Sequence, residues 1–181
     1  MKKLYQNMCL AAGLIAVGSS MASDNPLYQD NPARVSIPAV VADGVPGQFQ
    51  DIQLRFKTND QLELVSVRDG VLLDYIQKVE AFKTNTSPVQ VFLEITGQLP
   101  NGCAHIGQVH QAQDNNTIAV TVFFKNDEWL TGAPVACTLA MVPFKHVMPL
   151  DVYDLPAGVY EYSVNDEFSG SFTLTTDNRL P

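Results

Sequence analysis

Apolar and polar residues alternate with a period of two along much of the chain. Ile52, Leu54 and Phe56 interleave with Asp51, Gln53, Arg55 and Lys57. Val89, Val91, Leu93 and Ile95 repeat the pattern with Gln90 and Glu94 on the other side. Ile118, Val120, Val122 and Phe124 interleave with Thr117, Ala119 and Thr121. Tyr160, Tyr162 and Val164 form one further face, and Phe172 and Leu174 a shorter one. Successive side chains of a strand point to opposite faces, so each run predicts a strand with one side buried. Turn-forming groups separate the runs: Asp43-Gly44, Asn59-Asp60, Leu99-Pro100-Asn101-Gly102, Asp114-Asn115-Asn116 and Leu155-Pro156-Ala157-Gly158. Many short strands at this spacing predict an all-β fold, an antiparallel Ig-like β-sandwich over residues 88–181.

One stretch departs from the alternation. From Asp69 to Phe82 the apolar residues Leu72, Leu73, Ile76, Val79 and Phe82 follow roughly helical spacing, with Asp69 placed as a cap. This predicts one short helix, and an irregular crossover between two β units fits equally well. The polar segment Lys83-Thr84-Asn85-Thr86-Ser87-Pro88 then marks an internal boundary. Residues 23–87 are therefore expected to form a smaller N-terminal β unit, hairpin-like and packed on the larger domain because it is too short for its own core.

The first residues read as an address. Met1-Lys2-Lys3 is basic, Met8 to Val17 is apolar, and Ser19-Ser20-Met21-Ala22-Ser23 supplies small residues at a cleavage site. That order predicts a secretory signal peptide over residues 1–22. Its removal takes away Lys2, Lys3 and Cys9. The chain has 181 residues with 11 Lys+Arg against 19 Asp+Glu, a net charge of −8. Without the two leader lysines the balance becomes 9 against 19, a net charge near −10. Phosphate binding needs a basic face, so a nucleic-acid partner is not expected. No apolar stretch reaches the roughly 20 residues of a membrane-spanning helix.

Cys103 and Cys137 remain after cleavage, and an even pair in an exported chain reads as a disulfide, with two buried free thiols as the alternative. There is no Cys-x-x-Cys motif, which favours a structural role. Cys103 follows a Pro-Asn-Gly turn and Cys137 lies in the apolar segment Pro134 to Val142, so the bridge is expected to tie two strands across the sandwich.

The spelling of the C-terminal half is distinctive: Gly97-Gln98-Leu99-Pro100-Asn101-Gly102-Cys103, Ala136-Cys137-Thr138, Pro149-Leu150-Asp151-Val152-Tyr153-Asp154-Leu155-Pro156-Ala157-Gly158-Val159-Tyr160 and Ser171-Phe172-Thr173-Leu174. Over residues 88–175 this resembles a largely uncharacterised β-sandwich module of exported bacterial proteins and lipoproteins. The run Val35 to Val41 followed by Phe49 to Leu54 is similar to a short hairpin repeat of exported proteobacterial proteins. The resemblance implies a secreted Ig-like domain in the periplasm or outside a bacterial cell, with a structural disulfide. It supplies no catalytic residues.

Known catalytic, phosphate-binding and calcium-loop signatures are absent from the sequence. His105, His110 and His146 are the candidate metal ligands, but an offset of five along a regular strand sends His105 and His110 to opposite faces unless a β-bulge intervenes. Asp151, Asp154, Glu161, Asp166 and Glu167 could be drawn together as a calcium site or a carboxylate pair, yet they fall around turns and on polar strand faces. Trp129, in the segment Lys125 to Gly132, is the candidate recognition residue. No cofactor is expected. The expected function is a non-enzymatic binding or structural role in the cell envelope toward an unidentified protein or envelope ligand. A small periplasmic hydrolase or metal-dependent enzyme, and a chaperone or inhibitor on an Ig-like scaffold, are the alternatives. An exposed hydrophobic edge strand would distinguish the last.

Overall fold

The structure, a computed structural model, describes residues 26–42, 45–57, 61–127 and 134–180. The leader and Trp129 lie outside the described residues. Among the described residues the chain is built from strands, and they fall into three sheets.

The first sheet is a meander of β1 (Leu27–Asp30), β2 (Ala33–Ala42), β3 (Val45–Phe56) and β4 (Leu62–Asp69), paired in that order. Gly70 then leads into β5 (Val71–Leu72) and β6 (Ile76–Lys83), followed by β7 (Val91–Leu99), β8 (Ala104–Asp114) and β9 (Thr117–Asn126). The chain closes with β10 (Val142–Pro149), β11 (Gly158–Val164) and β12 (Phe168–Leu174). One sheet of the sandwich has the order β10-β7-β6. The other has β12, β11 and β9, with β8 on the far side of β9 and β5 pairing the end of β9.

The all-β sandwich expected from the alternation is what the residues build. Val91, Leu93, Ile95 and Leu99 point inward from β7, and Ile118, Val120 and Val122 from β9. Tyr160, Tyr162 and Val164 of β11 and Phe172 and Leu174 of β12 complete the core between the sheets. Leu93, Ile95, Val122 and Val164 are wholly inaccessible to solvent. Fully burying one such side chain contributes about 1.5–3 kcal/mol, so this layer is the main source of stability.

Three features differ from expectation. Asp69 to Phe82 is neither helix nor irregular crossover: it contains β5, paired with β9, and β6, paired with β7. The sandwich therefore takes strands from both sides of the expected division at residues 87 and 88. β9 and β11 run parallel, because β10 between them crosses to the other sheet and returns the chain in the same direction. The apolar segment around Cys137 is not a strand; Leu139 within it is 94% exposed. Pro134 lacks an N–H, and the ladder-like bond of this stretch runs from Gly102 N–H to the Thr138 carbonyl at 3.2 Å.

The geometry of two turns explains their spelling in physical terms. The hydroxyl of Tyr160 donates to the Pro156 carbonyl at 3.0 Å and its ring stacks on Phe172, which fastens the Leu155-Pro156-Ala157-Gly158 corner to the core. Asn165 and Asp166 adopt the left-handed region at φ 51° and 57°, where short polar side chains are tolerated. Gly97 has no substitute: a Cβ there would overlap the Tyr75 carbonyl and lie 2.7 Å from the Phe144 ring.

Candidate functional site

The sequence places two kinds of face on the N-terminal sheet. Cross-strand pairing aligns Tyr28 with Val35, Val35 with Leu54, and Leu54 with Leu64, so one row of the sheet is apolar across all four strands. The neighbouring row aligns Arg34 with Arg55 and Arg55 with Glu63 on the opposite face. Polar contacts reinforce that second face. Ser36 donates to Gln53 at 2.8 Å, Arg55 and Lys57 reach Glu63 at 2.6 and 3.0 Å, and Arg68 lies 3.7 Å from Asp51. The Arg55 contact, followed by Lys57, holds the Glu63 carboxyl below its usual range.

An amphipathic sheet ordinarily lays its apolar face on a core. Here only one end does so. Gln108 of β8 donates to the Pro38 carbonyl at 2.9 Å, β3 approaches β8, and Ile52 is buried. Along β3 burial then falls from Ile52 to the half-buried Leu54 and the exposed Phe56. Tyr28 is 60% exposed, Leu62 50% and Leu64 55%, with Tyr28 set edge-on to Phe56 at 5.9 Å. Val65 and Val67 of β4 are exposed as well, and no other described strand pairs with the outer edge of β4. Contiguous exposed apolar surface of this kind marks interaction sites in folded proteins, and an open apolar edge strand is a template for another strand.

The histidines do not assemble a centre. β8 carries a register shift between Ile106 and Val109, and this bulge brings His105 and His110 to the same face, opposite Lys125 and Thr121. Four positions of β9 still separate them, about 13 Å at 3.3 Å per residue. Each ring has its own partner: His105 Nε2 lies 2.8 Å from Asp127, and His110 Nε2 lies 3.1 Å from Gln108, with its ring edge-on to Phe123. His146 stands on β10 opposite Ile95. Among the described residues no group of three His, Cys, Asp or Glu side chains could hold a metal ion, and the late acidic residues are included in that statement. Asp154 and Asp166 instead occupy left-handed turn positions.

His146 does carry a pH dependence. Burial pushes its imidazole below the ordinary value of 6.5. The unfolded chain therefore binds the proton more readily than the folded one. The associated stability is complete above about pH 6.5 and is lost as the pH falls from there through the lower folded-state value. Urea unfolding across that window should show the loss, and His146→Gln should flatten it. An equal loss in the variant would assign the acid sensitivity elsewhere.

Cys103 and Cys137 are bonded, with Cα atoms 5.5 Å apart and a sequence separation of 34. The bridge pins the strandless segment before β10 to the turn after β7. A residue that sequence reasoning missed is Asn178, the single buried polar residue among those described. Its side chain accepts the Val89 N–H at 2.6 Å and donates to the carbonyls of Val89 and Val152 at 2.9 and 2.8 Å. No helix of the described residues is long and apolar enough to cross a membrane.

No curated protein and no solved structure matches the chain. A family model does: residues 93–174, from within β7 to the end of β12, are similar to the ORF11 beta-sandwich domain.

Proposed function

We propose that this chain is an exported, non-enzymatic protein that acts by association in the bacterial cell envelope, with the sandwich as a rigid base and the N-terminal sheet as the contact surface. The observation that carries this reading is the apolar face of Tyr28, Leu54, Phe56, Leu62 and Leu64, half-buried at Leu54 and exposed at the other four. The basic, apolar and small-residue order of residues 1–22 supports export, and so does the Cys103–Cys137 bridge, since such bonds persist in oxidising compartments. The acidic balance of the chain disfavours anionic ligands.

The experiment is co-sedimentation of the mature chain with envelope preparations, comparing wild type with Leu62→Lys/Leu64→Lys. Removing the two leucines from the contact is expected to weaken binding by about tenfold or more, the effect of losing roughly 1.4 kcal/mol or more. Equal partition of the two proteins would refute the reading. The open edge of β4 favours a second reading, a chaperone or inhibitor that captures an extended segment of another protein by strand addition. That reading predicts protection of an unfolded client from aggregation, lost in the same variant.

A further inference from the structure

Strands β6 and β12 are the outermost strands of the two sheets on one flank of the sandwich, and they lie side by side. No described strand pairs with the free side of either. Side chains bridge the gap instead. The Tyr162 hydroxyl lies over Gly170, where a Cβ would collide with it, and reaches the Ala81 backbone. Further along, Lys83 Nζ donates to the Thr173 carbonyl at 3.1 Å. A hollow of about 300 Å³ opens between the two edges here, and Ala81, Lys83, Val91, Phe172 and Thr173 are among its walls.

The sequence explains the hollow. Pairing sets Ala81 opposite Leu93 and Lys83 opposite Val91, and both partners are buried. Ala81 and Lys83 therefore stand on the inward face of β6, which Ile76 and Val79 fill with branched side chains further back. Alanine is too small to fill its place, and lysine carries a charge to the rim of the same space. The result is an apolar floor of Ala81, Val91 and Phe172 with one cation at its end. That cation is uncommitted: Lys83 makes no ion pair among the described residues, whereas Glu80 and Glu94 on this sheet are held by Lys78 and Lys145.

We propose that this hollow captures the carboxyl terminus of an extended polypeptide that ends in an apolar residue. A chain of net charge −8 repels anions in general, so a carboxylate is admitted where a cation stands free. The terminal carboxylate takes Lys83 in a charge-assisted bond stronger than the present one to a carbonyl. The Thr173 carbonyl, released by Lys83, accepts the amide N–H of the same terminal residue, and the side chain of that residue rests on the apolar floor. A free monocarboxylate without an N–H answers only one of the two groups; the end of a polypeptide answers both. The volume lies at the lower end of the roughly 300–1,000 Å³ of ligand clefts. It suits the terminal residue, with the preceding residues laid along the open strand edges. The site uses no residue of the N-terminal sheet and stands apart from the reading of that sheet.

Fluorescence anisotropy tests this with labelled hexapeptides that vary at the last residue, each made as the free acid and as the carboxamide. Free acids ending in an apolar residue should bind the mature chain, and their carboxamides at least about tenfold more weakly, the effect of losing a charge-assisted hydrogen bond. Lys83→Met keeps the aliphatic stem and removes the charge, so it should erase the difference between acid and amide. Lys83→Arg should preserve it. Ala81→Leu fills the hollow and should weaken binding of the acid at least as much as Lys83→Met does. No binding of any acid up to about 1 mM overturns the proposal, as does an acid that binds no better than its amide or a Lys83→Met variant that still tells them apart. Hexanoate that displaces the peptide as effectively as the unlabelled peptide does would assign the hollow to free monocarboxylates and overturn the polypeptide as its occupant.

Discussion

Opening the Cys103–Cys137 bridge is expected to lower the stability of the fold by about 4 kcal/mol, the chain-entropy value for a loop of this length. The bond holds Cys103, which is buried, against a segment that belongs to no sheet. Beyond it, the described segment from Pro134 to Met141 is held at this point by the Gly102–Thr138 backbone bond, and most of its residues are exposed. The unfolded chain gains the most freedom from reduction, while the sandwich core loses no side chain. The mechanism predicts a large change in the midpoint with the sandwich still able to fold. For a chain of this size, 4 kcal/mol corresponds to a fall of roughly 8–16 °C in Tm. Thermal unfolding with and without reductant, and of Cys103→Ala/Cys137→Ala, measures it. A shift of less than about 2 °C would show that the bridge contributes little.

Asn178→Leu is expected to cost about 3 kcal/mol despite its similar volume. The side chain satisfies three backbone groups, the N–H and carbonyl of Val89 and the carbonyl of Val152, in a site that water does not reach. Its backbone also accepts the Asp154 N–H and donates to the Leu155 carbonyl, both at 2.8 Å. Asn178 thus ties the approach to β7, the turn after β10 and the C-terminal segment into one knot. Leucine would leave buried polar groups without partners, at roughly 1–3 kcal/mol each, with partial relief as the C-terminal segment loosens. Urea unfolding should show a lower midpoint with an unchanged slope. Stability within about 0.5 kcal/mol of wild type would mean that the segment is not fastened in this way.

The core was legible because its strands keep strict phase. Ile118, Val120 and Val122, or Tyr160, Tyr162 and Val164, alternate without interruption, and all are buried. β6 was illegible for a physical reason. Its register shifts between Ile76 and Lys78, so the inward positions become Ile76, Val79 and Ala81, a spacing that imitates a helix. Phe82 joined that apparent stripe from the outside, stacked on Phe92. The same kind of defect in β8 reversed the expected relation of His105 and His110. Bulges shift the phase of a strand by one residue and leave no local signature in composition.

The candidate site was half legible. Ile52, Leu54 and Phe56 announce a strand with an apolar face, but alternation says nothing of whether that face meets a core. The structure answers with a gradient of burial along β3. Asn178 was invisible, since an asparagine near the end of a chain carries no periodic signal. Only the three backbone groups around it, contributed by distant parts of the sequence, give it a role.

The reading of the N-terminal sheet as the working surface is tested most directly by co-sedimentation of three proteins with envelope preparations: wild type, Leu62→Lys/Leu64→Lys and Val159→Lys. Val159 is 57% exposed on the sandwich and serves as a polarising change of the same kind away from the sheet. The account predicts that wild type and Val159→Lys sediment alike and that the double variant stays in the supernatant. Loss of sedimentation in Val159→Lys with retention in the double variant would contradict it.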